Sequence, residues 1–255
     1  MIRAPLLIHS HMPKTAGSAL NRNVLWPRFA SSAMRMAYGV AFEKSRRFPE
    51  PLGEIGFLSG HAPYGYGAGL GREVLYISVL RDPVDRMFSF LNFVAIAGRH
   101  GARRQFDEDM QAVARKDPER FVLKMLESEL VQLRQNNLMV RLASGMPRLG
   151  RHRPGRHKLR QAITHSRKED YLVGVQERFD EFAGQLRCAL DDRGIGRFGD
   201  GKPITGDVSE KRFEKVISAD HVGASVVDEI RRANALDQRF YDDVVERLEC
   251  KAVAA

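Results

Sequence analysis

The chain has 255 residues, is 43% apolar and 29% charged, and carries 41 Lys and Arg against 32 Asp and Glu, a formal net charge of +9. That apolar fraction excludes a disordered tail protein, and Cys188 and Cys250, far apart and without metal spacing, support neither a disulfide framework nor a zinc site. The length suits one α/β domain over 1–255, in a reducing compartment.

In chain order, Leu6 to His11 reads as a short strand running into the turn MPKTAG, followed by a helix from about Ser18 to Trp26 that stops before Pro27. The longest early apolar stretch, Ala4 to Ile8, is far short of the ~20 residues of a bilayer span and meets no cleavage site. The expectation is therefore a chain starting at or near Met1, with no membrane span, soluble in the cytoplasm. Ile55 to Ser59 is a second strand. Val74 to Leu80, VLYISVL, is β-branched and aromatic with little alternation, as a strand covered on both faces should be. Asp82-Pro83 opens a helix whose Val84, Met87, Phe88, Leu91, Val94 and Ala95 recur at three-four spacing. Residues 105 to 143 read as two or three helical pieces broken at Asp117-Pro118. Tyr171 to Val175 is a buried strand, Phe179 to Leu190 a helix, 194 to 206 a glycine-rich loop, and 224 to 248 a final amphipathic element. Strands alternating with helices predict an α/β fold: a parallel sheet flanked by helices, with a phosphate-binding turn after the first strand.

The positive excess is local. Between Glu129 and Glu169 there is no acidic residue and ten Lys or Arg; without that stretch the chain holds 31 positives and 32 negatives. The basic segment at about 144–168 includes PRLGRHRPGRHKLRQ, in which Pro147, Gly150, Pro154 and Gly155 are expected to break any helix. Such a segment attracts anions, but without an aromatic to stack on bases it does not read as a single-strand nucleic-acid platform. Two readings stand for it: a solvated loop, or a mobile lid or rim, Arg148 to Arg160, that draws an anionic acceptor toward Lys14 and His61.

Two constellations carry chemistry. HMPKTAGSAL, residues 11 to 20, places a lysine and small residues between a strand and a helix start, where free amides and the helix dipole favour an anion. It is not the nucleotide-triphosphatase loop, because Lys14 precedes the only glycine. SVLRDPVDRMFS, residues 78 to 89, sets Arg81 at the end of a buried strand and Ser89 eight residues later on the next helix, where both can donate to one phosphate. Taken alone, Arg81 reads better as an ion-pair partner of Asp82 or Asp85.

Together these motifs resemble the sulfotransferases that use 3′-phosphoadenosine 5′-phosphosulfate, above all the group containing the heparan sulfate 2-O-sulfotransferases and their bacterial relatives. SGHAPYGYG, NNLMVRLASG, YLVGVQERFDE and NALDQRFYDDV extend the likeness over residues 6 to 248. The resemblance implies that Lys14, Thr15, Ala16, Gly17, Ser18 and Ala19 cradle the 5′-phosphosulfate, that Arg81 and Ser89 bind the 3′-phosphate, and that His61 lies in the segment carrying the catalytic base. Ser18 and Ala19 replace a more usual Thr-Ser pair, and no residue is assigned to the adenine.

Sulfuryl transfer needs an in-line acceptor oxygen, charge neutralisation on the leaving phosphate, and a proton acceptor. Lys14 suits the second task and His61 the third, with His11 as the alternative base or a sulfonate contact. The expected donor is 3′-phosphoadenosine 5′-phosphosulfate, the expected product adenosine 3′,5′-bisphosphate, and the acceptor a hydroxyl of a glycan, glycolipid or small molecule, without a metal and without nucleic acid. The rivals are a nucleotide-dependent kinase or phosphatase-like P-loop protein, which should carry a Gly-Lys-Ser/Thr loop, and a non-enzymatic anion-binding module, which would leave Lys14 and Arg81 without a role.

Overall fold

The computed structural model describes residues 5–38, 55–97, 108–148, 152–196 and 217–253. Five strands form one parallel sheet: β1 (Leu6–Ser10), β2 (Met34–Ala37), β3 (Phe57–Gly60), β4 (Val74–Leu80) and β5 (Tyr171–Val175), in the spatial order β2-β3-β1-β4-β5. The chain leaves β1 toward β3 and β2, then crosses back to place β4 on the other side of β1. Connections diverge at this point, and the crevice beyond the carboxyl ends of β1 and β4 is where open parallel sheets bind ligands. His11 and Arg81 are the residues that follow those two ends.

Side-chain alternation along β1 divides its burial between two layers. Leu6 and Ile8 pack with Tyr76, Leu80 and the helices α6 (Leu138–Ala143), α7 (Arg156–His165) and α10 (Ala235–Val253). Leu7 faces the other way, with Leu75, Ile77 and Val79, onto α1 (Gly17–Leu20) and α8 (Phe179–Asp192). A third cluster, with Met87, Phe121 and Ile230 at its centre, joins α2 (Pro83–Ala97), α4 (Pro118–Glu127) and α9 (Ala224–Ala233). The remaining helices are α3 (Glu108–Lys116) and α5 (Glu129–Arg134). The parallel α/β sheet is thus as expected, and β4, β5 and the start of α2 fall where the residue pattern put them.

Several expectations need correction. β2 has no counterpart in the sequence reading: MRMA is four residues long and lacks the β-branched signature. The helix expected over Ser18 to Trp26 is one α-turn, then a wider π-helical stretch over Asn21–Leu25 and a 3₁₀ turn over Trp26–Arg28. Residues 108–143 hold four helices, because Ser128 caps α5 and Asn137 in the left-handed conformation opens α6. The final element is two helices parted at Asn234. Within the basic segment, Arg156–His165 is helical despite the prolines and glycines before it. Gly155 stands at its N-cap rather than inside it, and Leu159 and Ala162 bury its inner face. Residues 149–151 and most of the 194–206 loop lie outside the described residues.

Candidate anion site at the sheet switch point

The turn after β1 is held in an unfavourable backbone geometry. Lys14 has φ 70° and Ala16 φ 62°, both in the left-handed region that glycine adopts freely and other residues avoid at a cost of about 1–2 kcal/mol. Thr15, fully buried between them, donates its hydroxyl to the Met12 carbonyl at 2.9 Å and closes the turn from inside. The first intrahelical donor is the Leu20 amide, onto the Ala16 carbonyl at 3.1 Å. The amides of Gly17, Ser18 and Ala19 therefore emerge from the helix start without intrahelical acceptors. A Cβ on Gly17 would overlap the His11 imidazole, 2.5 Å from Nε2, so this glycine is what allows the ring to lie on the turn. Of the resemblance-assigned residues, Ser18 is exposed, while the Thr15 side chain is committed to the turn itself.

Arg81 ties the second motif to the first. Its Nη1 donates to the Lys14 carbonyl at 3.3 Å, and among the described residues it forms no ion pair. Asp82, one of the two carboxylates that could have claimed it, accepts the amides of Val84 and Asp85 and caps α2. Lys14, Arg81 and Ser89 line one cleft of about 400 Å³, together with Phe93, Gln176 and Ser218. The Lys14 ammonium lies over the Phe93 ring, 4.8 Å from its centroid. Burial and, after it, the charge of Arg81 lower the Lys14 pKa. Asp85 contributes a carboxylate to the same lining. Gln176 was not anticipated; its Oε1 is buried there with no hydrogen-bond partner among the described residues. It lies within the segment YLVGVQERFDE, just after β5, but nothing local sets it apart from the polar Glu177 and Arg178 that follow.

On the other side of the turn three histidines converge. His11 and His61 stand 5.8 Å apart between ring centroids, and His9 stacks on His11 at 5.2 Å. His61 Nδ1 donates to the His11 carbonyl at 2.8 Å, which leaves its Nε2 as the lone-pair nitrogen. Burial lowers the His61 pKa to about 3, with Arg148 adding to the shift, and lowers that of His9 to about 4. His11 is also driven well below the ordinary histidine range, by burial first and then by His9, His61, Lys14 and Arg148. Arg148 of the basic segment thus bears on both histidines. Among the described residues, no group of three or more His, Cys, Asp or Glu is placed to hold a metal ion.

The structure thus brings Lys14, Arg81 and Ser89 to one cleft and His11 and His61 to the other flank of the same turn. The other family-like segments serve the frame. Asn137 of NNLMVRLASG accepts the amides of Leu236 and Asp237 on its Oδ1, and Asp237 of NALDQRFYDDV accepts the amides of Met139 and Val140. Arg86, fully buried, donates to the Gln135 carbonyl at 2.6 Å and, with Arg141, opposes the burial that raises the Asp237 carboxyl to about 6. No protein-family model matches this chain, and no curated protein does. Among the described residues no helix is long and apolar enough to cross a membrane.

Proposed function

We propose that this chain is a sulfotransferase, transferring a sulfuryl group from 3′-phosphoadenosine 5′-phosphosulfate to a hydroxyl of a glycan, glycolipid or small-molecule acceptor, and acting in the cytoplasm. The observation that carries the reading is the bond from Arg81 to the Lys14 carbonyl, which joins the two anion-seeking motifs at the switch point of the sheet. A donor with phosphate groups at both ends of a ribose needs two such centres, one for each.

On this reading Lys14 and the amides of Gly17 to Ala19 hold the 5′-phosphosulfate, and Arg81 with Ser89 holds the 3′-phosphate. Gln176 offers its unfilled carbonyl oxygen to a ribose hydroxyl or the adenine amine. His61 takes the acceptor's proton on Nε2 as the acceptor oxygen bonds to sulfur. The bond from sulfur to the 5′-phosphate oxygen breaks, and Lys14 neutralises the charge left on that oxygen. Products are a sulfate ester, adenosine 3′,5′-bisphosphate, and a proton on His61. Burial keeps His61 neutral before the donor arrives, and the donor's negative charge then raises its basicity when a proton must be taken up.

Thermal-shift and calorimetric titration with adenosine 3′,5′-bisphosphate, ATP and an anionic polysaccharide tests the assignment. Stabilisation by the bisphosphate well beyond that by ATP is the expected result. Equal stabilisation by ATP would favour a kinase, and a response to the polysaccharide alone a non-enzymatic binding module.

A further inference from the structure

His9, Asn21 and Ser59, all buried, form a hydrogen-bond chain that runs through the exposed Tyr38 to His11, and the donors and acceptors along it fix its direction. His9 Nδ1 lies 2.6 Å from Asn21 Oδ1, so the imidazole must donate there. The reverse amide orientation would move the His9 proton to Nε2, which is buried with no partner, and buried N–H groups without acceptors are the rarer defect. With Oδ1 turned to His9, the Asn21 amide nitrogen donates to Ser59 Oγ at 2.9 Å and reaches the Tyr38 hydroxyl at 3.4 Å.

Ser59 must then place its own proton. His9 Nδ1, 3.3 Å away, already carries one, whereas the Tyr38 oxygen at 2.8 Å can accept. Among the described residues Tyr38 in turn has one acceptor left, His11 Nδ1 at 2.6 Å. Running the chain backwards, from a protonated His11 Nδ1 through Tyr38, would leave the Ser59 proton facing the His9 N–H. Within this chain of described side chains only one direction satisfies every hydrogen.

We propose that Tyr38 and Ser59 are positioning residues that hold His11 as the Nε2–H tautomer, a neutral hydrogen-bond donor lying on the anion-binding turn at Gly17, while the His11 carbonyl holds His61 in the opposite tautomer with its Nε2 free to accept. The two adjacent histidines are thereby divided into a donor and an acceptor. The tautomers are a property of the protein alone, whereas the use of His11 toward the 5′-phosphosulfate of the donor and the 5′-phosphate of the product rests on the sulfotransferase reading. A histidine whose Nε2 bears the proton and whose Nδ1 lone pair is held by Tyr38 has no nitrogen free to take a proton from an acceptor, whereas His61 has its Nε2. The base is His61.

Nitrogen-15 NMR of the imidazoles in the full-length protein reads this directly, with peaks assigned by single histidine-to-glutamine variants. In the wild type, His11 is expected protonated at Nε2 and His9 and His61 at Nδ1. In Tyr38→Phe, which keeps the ring, His11 should lose that preference, His61 should keep its tautomer, and adenosine 3′,5′-bisphosphate should bind roughly fivefold more weakly, the loss of one neutral hydrogen bond. A wild-type His11 protonated at Nδ1, or a Tyr38→Phe protein with an unchanged His11, overturns the proposal. Expected tautomers in a protein that binds no adenosine bisphosphate would support the relay and refute the sulfotransferase reading. The wild-type spectrum decides the tautomers even if the variant does not fold.

Discussion

Replacing Lys14 by alanine and, separately, by glycine tests whether the strained turn serves binding rather than stability. At an ordinary position glycine is less stable than alanine by about 0.5–1 kcal/mol, because the unfolded glycine has more freedom to lose. At φ 70° the order should invert, since alanine retains a left-handed cost of about 1–2 kcal/mol that glycine does not bear. Subtracting one from the other leaves Lys14→Gly more stable than Lys14→Ala by up to about 1.5 kcal/mol. Both lose the contact of the ammonium with Phe93, of order ~0.5–1 kcal/mol, and both lose its repulsion from Arg81, so neither should fall far below the wild type. Both should lose ~10²–10³ in turnover, because each lacks the charge that meets the leaving phosphate. Urea unfolding gives the stabilities, and sulfuryl transfer from the labelled donor gives the rates. A glycine variant less stable than the alanine variant would show that the turn is not strained as described. Full activity in either would remove Lys14 from the chemistry.

Ser89→Ala should weaken adenosine 3′,5′-bisphosphate while leaving adenosine 5′-phosphate unchanged in calorimetry; Arg81→Ala should cost roughly tenfold to a hundredfold for the bisphosphate, with a smaller loss for the monophosphate because it also frees the Lys14 carbonyl. Stability should be whole above pH 6.5 and fall as the pH drops toward 4, because the unfolded chain binds protons at His9, His11 and His61 that the native state refuses, ~1.4 kcal/mol per pH unit for fully buried His9 alone. Asp237, raised to about 6, is protonated first in the native state and opposes this below that pH, but one carboxyl does not cancel three histidines; equal urea midpoints at pH 7 and pH 5 would refute the balance. Asp237→Asn should destabilise by about 1–3 kcal/mol in the same assay, since it removes the negative charge that favours buried Arg86 and leaves one helix amide without an acceptor.

The sheet was legible where it is covered on both faces. VLYISVL and YLVGV are continuous apolar runs, and such runs announce buried parallel strands without reference to anything distant. β2 was not legible, because MRMA becomes a strand only through its pairing with β3. Lys14 and Arg81 were legible as residues at strand ends, since a turn and a strand terminus are both local features. That Arg81 would bond to the Lys14 carbonyl was not, for it depends on β1 and β4 being neighbours. Helix α7 was misread for a related reason. Proline and glycine were counted across the basic segment, yet what decides a helix is whether they fall inside it or just before its first turn. Tyr38 and Asn21 carry no motif at all; their role exists only once the ends of β1, β2 and β3 lie side by side.

The electrostatics of the site bear on which state of the protein the sequence is adapted to. Burial first and then Arg81 lower the Lys14 pKa, and burial followed by His9, His61, Lys14 and Arg148 lowers that of His11, so the groups around the turn each disfavour charge on the next. The carboxylate in the cleft lining is Asp85, an exposed residue on α2, whereas Asp82 is used up as a helix cap. Two left-handed residues add backbone strain to the same few ångströms. The mutual repulsion and the left-handed turn lower stability in the free protein, and strain of this kind survives where the surroundings over-determine it. A multiply charged anion reverses every sign at once: it restores proton affinity to Lys14 and the histidines, and it supplies acceptors to the amides of the helix start. Ligand binding to the native state alone adds RT ln(1 + [L]/Kd), about 2.7 kcal/mol at a hundredfold excess over Kd. For a given excess that gain is the same for any anion; on the proposed sulfotransferase reading the doubly phosphorylated nucleotide engages Lys14 and Arg81 together, so its affinity should exceed that of adenosine 5′-phosphate by the contribution of Arg81 and Ser89.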